Sequence, residues 1–220
     1  MSWSVSLQRP RALVLGDLIA RDQSRTAQVV RDVLLVVGAA GFVGLLAQVS
    51  IHLSFTPVPI TGQTLGVLLA GTALGWRRAA ASMALYALAG VAGVPWFAGA
   101  AHGYVGASFG YIVGFFFAAA LCGFLAERGA DRSVLGSVPV MVAGELVIYL
   151  FGVTWLAFDV PLSFSAALHE GFTPFVIGDA IKAAIAAGLL PIAWQLAGRR
   201  PGRPDSTQPE TTQPDSLPSS

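Results

Sequence analysis

The 220-residue chain has little charge and almost no cysteine: 11% of its residues are Asp, Glu, Lys or Arg, and Cys122 is its one cysteine. A single thiol excludes an intrachain disulfide framework and any metal site built on several cysteines. No G-x-x-x-x-G-K-[ST] sequence occurs, so the backbone cradle that holds nucleotide phosphates in P-loop proteins is missing. His52, His102 and His169 each lack a second ligand at metal-binding spacing, and they read as incidental; neither a metal nor a cofactor is expected. A formal net charge of +1 says little by itself, because what matters is how the charges are distributed along the chain; no nucleic-acid partner is expected.

What the chain has instead is apolar length. Hydrophobic residues make up 55% of it, with a mean hydropathy of +0.68, far above a soluble domain of this size. The expected class is an all-α integral membrane protein. Apolar runs separated by charge or by Pro/Gly clusters place helices near 32–53, 63–76, 79–94, 104–126, 138–158 and 174–197. The second and third are short: about 15 residues at ~1.5 Å rise cover roughly 22 Å of a hydrocarbon core ~30 Å thick. They need help from neighbours or from local thinning of the bilayer. Arg77 and Arg78 between them favour a tight hairpin with both arginines in water, since each would cost ~2.5–3.5 kcal/mol at mid-membrane.

The positive residues test this layout. Arg9, Arg11, Arg21, Arg25 and Arg31 precede the first span, Arg77 and Arg78 join the second to the third, Arg128 and Arg132 join the fourth to the fifth, and Arg199, Arg200 and Arg203 follow the sixth. All fall on one side, whereas the opposite loops, 54–62, 95–103 and 159–173, contain no Lys or Arg. That is the positive-inside pattern with both termini in the cytoplasm. Trp76 and Trp194 lie near cytoplasmic helix ends, Trp96 and Trp155 near external ones. The chain thus divides into a cytoplasmic N-terminal segment (1–31), a six-helix transmembrane substrate-binding domain (32–197) and a disordered cytoplasmic tail (198–220) rich in Pro, Ser, Thr and Gln. Small residues at helical spacing, Ala40/Gly44, Ala89/Gly93 and Ala183/Ala187, suit close helix packing or a partner helix.

Lys182 is left over from the cytoplasmic set, and it stands three residues after Asp179 in "PFVIGDAIKAAIAAGLL", 174–190. Thr173 suits a cap and Pro174 the first helical position, so both charges lie one to two turns inside the external end and share one face. Charges in a bilayer are costly and commonly line a substrate path; an ion pair between helices is the plainer alternative. A carboxylate beside an ammonium suits a ligand that carries both donors and acceptors. Glu145, one turn before Tyr149, reads equally as structural or as a ligand contact, and Tyr149 is the better contact. "GASFG", 106–110, matches the serine nucleophile elbow G-x-S-x-G. That motif needs a strand, a sharp turn and a helix; here it opens a membrane helix, and small residues for packing explain it better. An intramembrane hydrolase using Ser108 or Glu145 is the alternative from another class. The loop 54–64, stiffened by Pro57 and Pro59 and bent at Gly62, is placed to close over the external mouth.

Four stretches carry a resemblance: "TPVPITGQTLGVLLAG" (56–71), "GVPWFAGAAHG" with "GYIVGF" (93–103, 110–115), "IYLFGVTWL" (148–156) and "PFVIGDAIKAAIAA" (174–187). Together they resemble the BioY family, the biotin-binding S components of energy-coupling factor (ECF) transporters, over roughly 30–197. The resemblance implies a six-helix subunit, with no catalysis of its own, that captures biotin outside and moves it inward, with or without an ECF coupling protein and two ATPases. It implies a multi-pass protein of the bacterial inner membrane, in contact with lipid, and leaves a homo-oligomer open. An S component for another vitamin is the alternative within the class. The family's substrate-binding Asp and Lys fall on Asp179 and Lys182, with Tyr149 on the fifth helix; Phe97, Gly99, Tyr111 and Gln63 complete the set. Many members read "GPTGGY" where this chain has "GASFGY", and some carry a polar residue where it has Gly99, so Phe97 and Gly99 rank below the helix-six pair. Biotin's ureido ring offers two N–H donors for Asp179 and a carbonyl for Lys182. Whether Lys182 meets that carbonyl or the valerate carboxylate is left open by the sequence.

Overall fold

The computed structural model describes residues 14–19 and 24–198. The expectations for 1–13, 20–23 and 199–220, including those for Arg9, Arg11, Arg21, Arg199, Arg200 and Arg203 and for most of the tail, lie outside the described residues.

The first helix, α1 (Arg25–Ala47), starts and ends earlier than the apolar run suggests. Ser24 caps it, its side chain accepting from the Ala27 N–H at 3.2 Å, and Arg31 and Asp32 satisfy each other inside the helix at 2.9 Å, so charges that look like a boundary are not one. Beyond Ala47 the chain extends into β1 (Ser50–Ile51), paired antiparallel with β2 (Ile60–Thr61). This small hairpin corrects the all-helical expectation; a two-residue ladder carries no readable periodicity. Gly62 follows it and approaches α1 closely: a Cβ there would lie 2.8 Å from the Leu46 carbonyl oxygen. Helices α2 (Gln63–Leu74) and α3 (Trp76–Val91) are separated by Gly75 alone, at φ +78°, a conformation glycine adopts without cost. The hairpin is thus tighter than expected, with Arg77 and Arg78 in the first turn of α3.

α4 (Phe109–Ala126) follows a single 3-10 turn at Gly106–Ser108 rather than starting at 104. α5 (Val134–Asp159) opens earlier than 138 because Ser133 caps it, accepting from the Gly136 N–H at 3.1 Å. The loop expected at 159–173 contains a further helix, α6 (Phe164–Gly171), capped by Ser163. α7 (Val176–Gly198) follows. Thr173 is not its cap: the Thr173 hydroxyl donates to the Leu168 carbonyl at 3.4 Å, closing α6.

Glycines set the helix spacing. A Cβ on Gly71 would lie 3.0 Å from the Ala119 carbonyl oxygen, and one on Gly114 3.1 Å from Ile148 Cα, so α2 and α5 press backbone-close on α4. Gly110 packs on Trp155, whose indole N–H donates to the Gly106 carbonyl at 3.2 Å; of the two glycines of "GASFG", Gly110 is a packing residue and Gly106 a turn position at φ +55°. Cys122 is fully buried where Gly71 and Gly144 come up against it. Ala40, Gly44 and Ala187 are buried as the spacing implied, but Gly93 faces open space, so Ala89/Gly93 is no seam. Outward faces carry large apolar side chains such as Leu34, Leu146, Leu150 and Ile177. Four helices (α1, α4 with its preceding turn, α5 and α7) are long and apolar enough to cross a membrane; the protein is membrane-embedded.

The arginine-bearing end is tied by ion pairs. Arg78 reaches Asp17 at 2.8 Å and Asp32 at 3.1 Å, which docks the turn Leu15–Leu18 and the start of α1 against α3. Trp194 on α7 donates to Asp131 at 2.8 Å; Asp131 lies in the α4–α5 turn, and burial pushes its carboxyl above the ordinary range.

The close approach of α4 to the α2–α3 turn is testable. A Cβ on Gly123 would run into the backbone of Gly75 and Trp76, whereas nothing lies within 4 Å of one on Gly38. Gly123→Leu should destabilise the detergent-solubilised protein by about 2 kcal/mol or more, and Gly38→Leu should not lower its melting temperature; thermal unfolding reads both.

Candidate ligand-binding site

The elements meet around a cavity of about 360 Å³ at the end opposite Arg77 and Arg78. Its floor is polar on one side and apolar on the other. On the polar side Asp179, only 5% exposed, projects from the first turn of α7. Its Oδ1 accepts from Lys182 Nζ at 2.7 Å and from the Thr64 hydroxyl at 3.2 Å. Its Oδ2 accepts from the Tyr149 hydroxyl. Lys182 also donates to Thr64 Oγ1 at 3.2 Å. Three helices, α2, α5 and α7, therefore converge on one carboxylate. Buried ions persist only when paired and hydrogen-bonded in this way.

A carboxylate has about four lone-pair sites and an ammonium three N–H groups. Asp179 uses three of its sites, and Lys182 two of its donors. The pair still offers one acceptor site and one donor side by side, which suits a ligand group with an N–H next to a carbonyl. The opposite wall is apolar: Ile112, Phe115, Ile148 and Phe175, all buried, line it with Phe97 and Tyr111.

Six of the seven expected residues line this cavity: Asp179, Lys182, Tyr149, Phe97, Tyr111 and Gln63. Several are committed to the scaffold as well. The Tyr111 hydroxyl donates to the Gly171 carbonyl at 2.7 Å, tying α4 to α6, and its ring lies against Gly152, where any side chain would collide with it. The Gln63 amide donates to the Tyr86 hydroxyl at 2.6 Å and accepts from Thr61 at 2.8 Å. Gly99 is the exception. It is not a lining residue but the φ +65° position of the turn Ala98–Ala100, and Ala98 takes the place on the wall. A turn position is fixed by backbone, so a side-chain match could not distinguish it from a contact.

Thr64 was not legible as a site residue. It opens a helix, where a threonine is ordinary, and only the fold brings it between Asp179 and Lys182. Gln48 is the other missed residue: its amide donates to the Trp96 and Phe97 carbonyls, both at 3.2 Å, and accepts from the Ala100 N–H at 3.0 Å, holding the 96–100 loop on α1. The 54–64 loop does close over the cavity: Pro57, Val58 and Pro59 line it, and Thr56 donates to the Glu170 carbonyl at 2.8 Å. Glu145 lies behind Tyr149, beside a smaller hollow of about 140 Å³ between α5 and α7; both its carboxyl oxygens are buried without a hydrogen-bond partner among the described residues.

Removing one member of a buried ion pair leaves the other uncompensated. Lys182→Met should destabilise the protein by about 3 kcal/mol, and adding Asp179→Asn should restore part of that loss. Equal losses in the single and double variants, read by thermal unfolding, would contradict the coupling.

Comparison with known proteins agrees with this architecture. Residues 20–199 match the BioY family. The biotin transporter BioY of Rhizobium etli is 37% identical over 170 residues, 71% of this chain and 89% of that protein. The biotin transporter BioY of Thermotoga maritima is 38% identical over 157 residues, covering 70% and 85%, and that of Rhodobacter capsulatus 35% over 181 residues, covering 72% and 93%. The crystal structure of an S-component for biotin from an ECF-type ABC transporter superposes with a TM-score of 0.71 at 25% identity, covering 78% of this chain and 95% of that one.

Proposed function

Since the chain belongs to the BioY family, we propose that it takes up biotin as a membrane-embedded S component, binding the vitamin in the cavity around Asp179 and Lys182. The observation that carries this reading is the shared carboxylate: one acceptor site on Asp179 and one donor on Lys182, at the floor of a cavity with apolar walls. Biotin's ureido ring carries N–H groups on either side of a carbonyl, so one N–H meets Asp179 while the carbonyl accepts a hydrogen bond from Lys182, and its thioether ring rests against Phe97, Phe115 and Phe175. At about 360 Å³ the cavity falls at the small end of ligand sites, which run from about 300 to 1,000 Å³.

In this reading α1, α2, α3, α4, α5 and α7 are the six spans, both termini are cytoplasmic, and α6 lies outside on the membrane surface. Arg25, Arg31, Arg77, Arg78, Arg128 and Arg132 support that orientation, as does the network of Arg78 with Asp17 and Asp32. The cavity then opens to the exterior. The segments flanking 32–197 are cytoplasmic, the membrane is the bacterial inner membrane, and the subunit performs no chemistry: an ECF coupling protein with its ATPases supplies the energy. Asp179, Lys182 and Tyr149 hold the ring, Phe97 and Tyr111 shape the wall, and Gln63 positions Tyr86 beneath the 96–100 loop.

Purified protein should bind biotin, and Asp179→Asn or Lys182→Ala should weaken binding at least tenfold, ~1.4 kcal/mol, by isothermal titration. Undiminished affinity in both variants removes the site; no biotin binding by the intact protein removes the function.

A further inference from the structure

His52 and His102 are far apart in sequence, one after β1 and the other in the α3–α4 connection, yet both line the same cavity. Gln48 holds the 96–100 loop, which precedes His102, against the end of α1, which precedes His52. A carbon added at Gly99 would lie 3.9 Å from His52 Cε1, which puts the His52 ring against the loop that carries His102. Both rings are exposed, whereas Asp179 and the apolar wall residues are buried. The cavity therefore runs from two imidazoles at its mouth to the carboxylate–ammonium pair at its floor.

The two ends differ in what they can take. Lys182 is already held by Asp179 and Thr64, so its charge is largely cancelled where it stands. At the mouth, His52 and His102 are the wall residues able to carry positive charge. The other titratable groups lining the cavity are Tyr104, near His102 in the chain, Tyr111 on α4, Tyr149 on α5, and Asp179 with Lys182 on α7. His169 and Glu170 lie on α6, whose Glu170 carbonyl holds the 54–64 loop. Asp159, at the end of α5, accepts from the Tyr104 hydroxyl and holds that phenol above its ordinary value.

We infer that His52 and His102 form an anion subsite at the mouth that receives the ligand's carboxylate, leaving Lys182 to the ring carbonyl at the floor. The inference rests on the biotin reading above. Histidine is the residue type that ordinarily gains and loses its charge between about pH 5 and 8, whereas an ordinary lysine stays charged and a carboxylic acid of valerate type stays ionised through that window. A subsite built on imidazoles is therefore distinguished from one built on an ammonium by the dependence of binding on pH across that window.

The test compares biotin with biotinamide, its neutral analogue, on the full chain in detergent between pH 5.5 and 8. The ratio of the two affinities should fall about tenfold across this range, as expected for loss of one charge-assisted contact. In His52→Gln/His102→Gln the ratio should be low and flat; in His52→Arg/His102→Arg the preference for biotin should persist at pH 8. A flat ratio in the intact protein, or a full pH-dependent preference in the Gln variant, overturns the subsite. Should the Gln variant bind neither compound, the intact protein's profile and the Arg variant decide. Failure of the intact protein to bind either compound at any pH overturns the biotin reading instead.

Discussion

Everything at the ligand end of this protein depends on the need to satisfy one carboxylate out of water. Asp179 sits almost fully buried at the start of a membrane helix, where an unpaired ion costs several kcal/mol or more. The fold meets that need with donors from three helices: Lys182 from its own, Thr64 from α2 and Tyr149 from α5. Because those donors arrive from different elements, the carboxylate also fixes how α2, α5 and α7 stand to one another. A ligand that binds here enters a network already assembled, which limits the ordering it must impose.

The close packing that brings these helices together is supplied by glycine. Gly71 and Gly114 admit backbone contact along α4, and Gly152 makes room for the Tyr111 ring, so the aromatic wall of the cavity and the seams of the bundle use the same residues. Loops complete the enclosure through polar ties to the frame. Gln48 holds one, Thr56 another, and Tyr111 anchors α6. A cover attached through a few hydrogen bonds, each worth about 1 kcal/mol net, is the part of the structure that opens at least cost.

How much of this could be read from the sequence followed from how conspicuous each residue is. Asp179 and Lys182 stood out because charge in an apolar run is expensive, and Tyr149 followed from its place on the fifth helix. Thr64 and Gln48 stayed hidden because an uncharged polar residue at a helix end is unremarkable until the fold shows what it touches. Helix α6 was hidden in a stretch read as a loop, since eight residues are too few for a clear periodicity. The early start of α1 was missed for the opposite reason: Arg31 and Asp32 looked like a boundary, and their pairing within the helix and with Arg78 is a tertiary fact. The histidines, each alone in sequence, share a cavity only once two loops are folded together.

The central claim is that the Asp179 carboxylate takes the ligand's N–H. Its most direct measurement is the infrared difference spectrum on adding biotin, compared between the intact protein and Asp179→Asn. A carboxylate stretching band should shift on binding, and that shift should be absent in the variant under conditions where it still binds; a shift of equal size in both, or none in the intact protein with biotin bound, would contradict this contact.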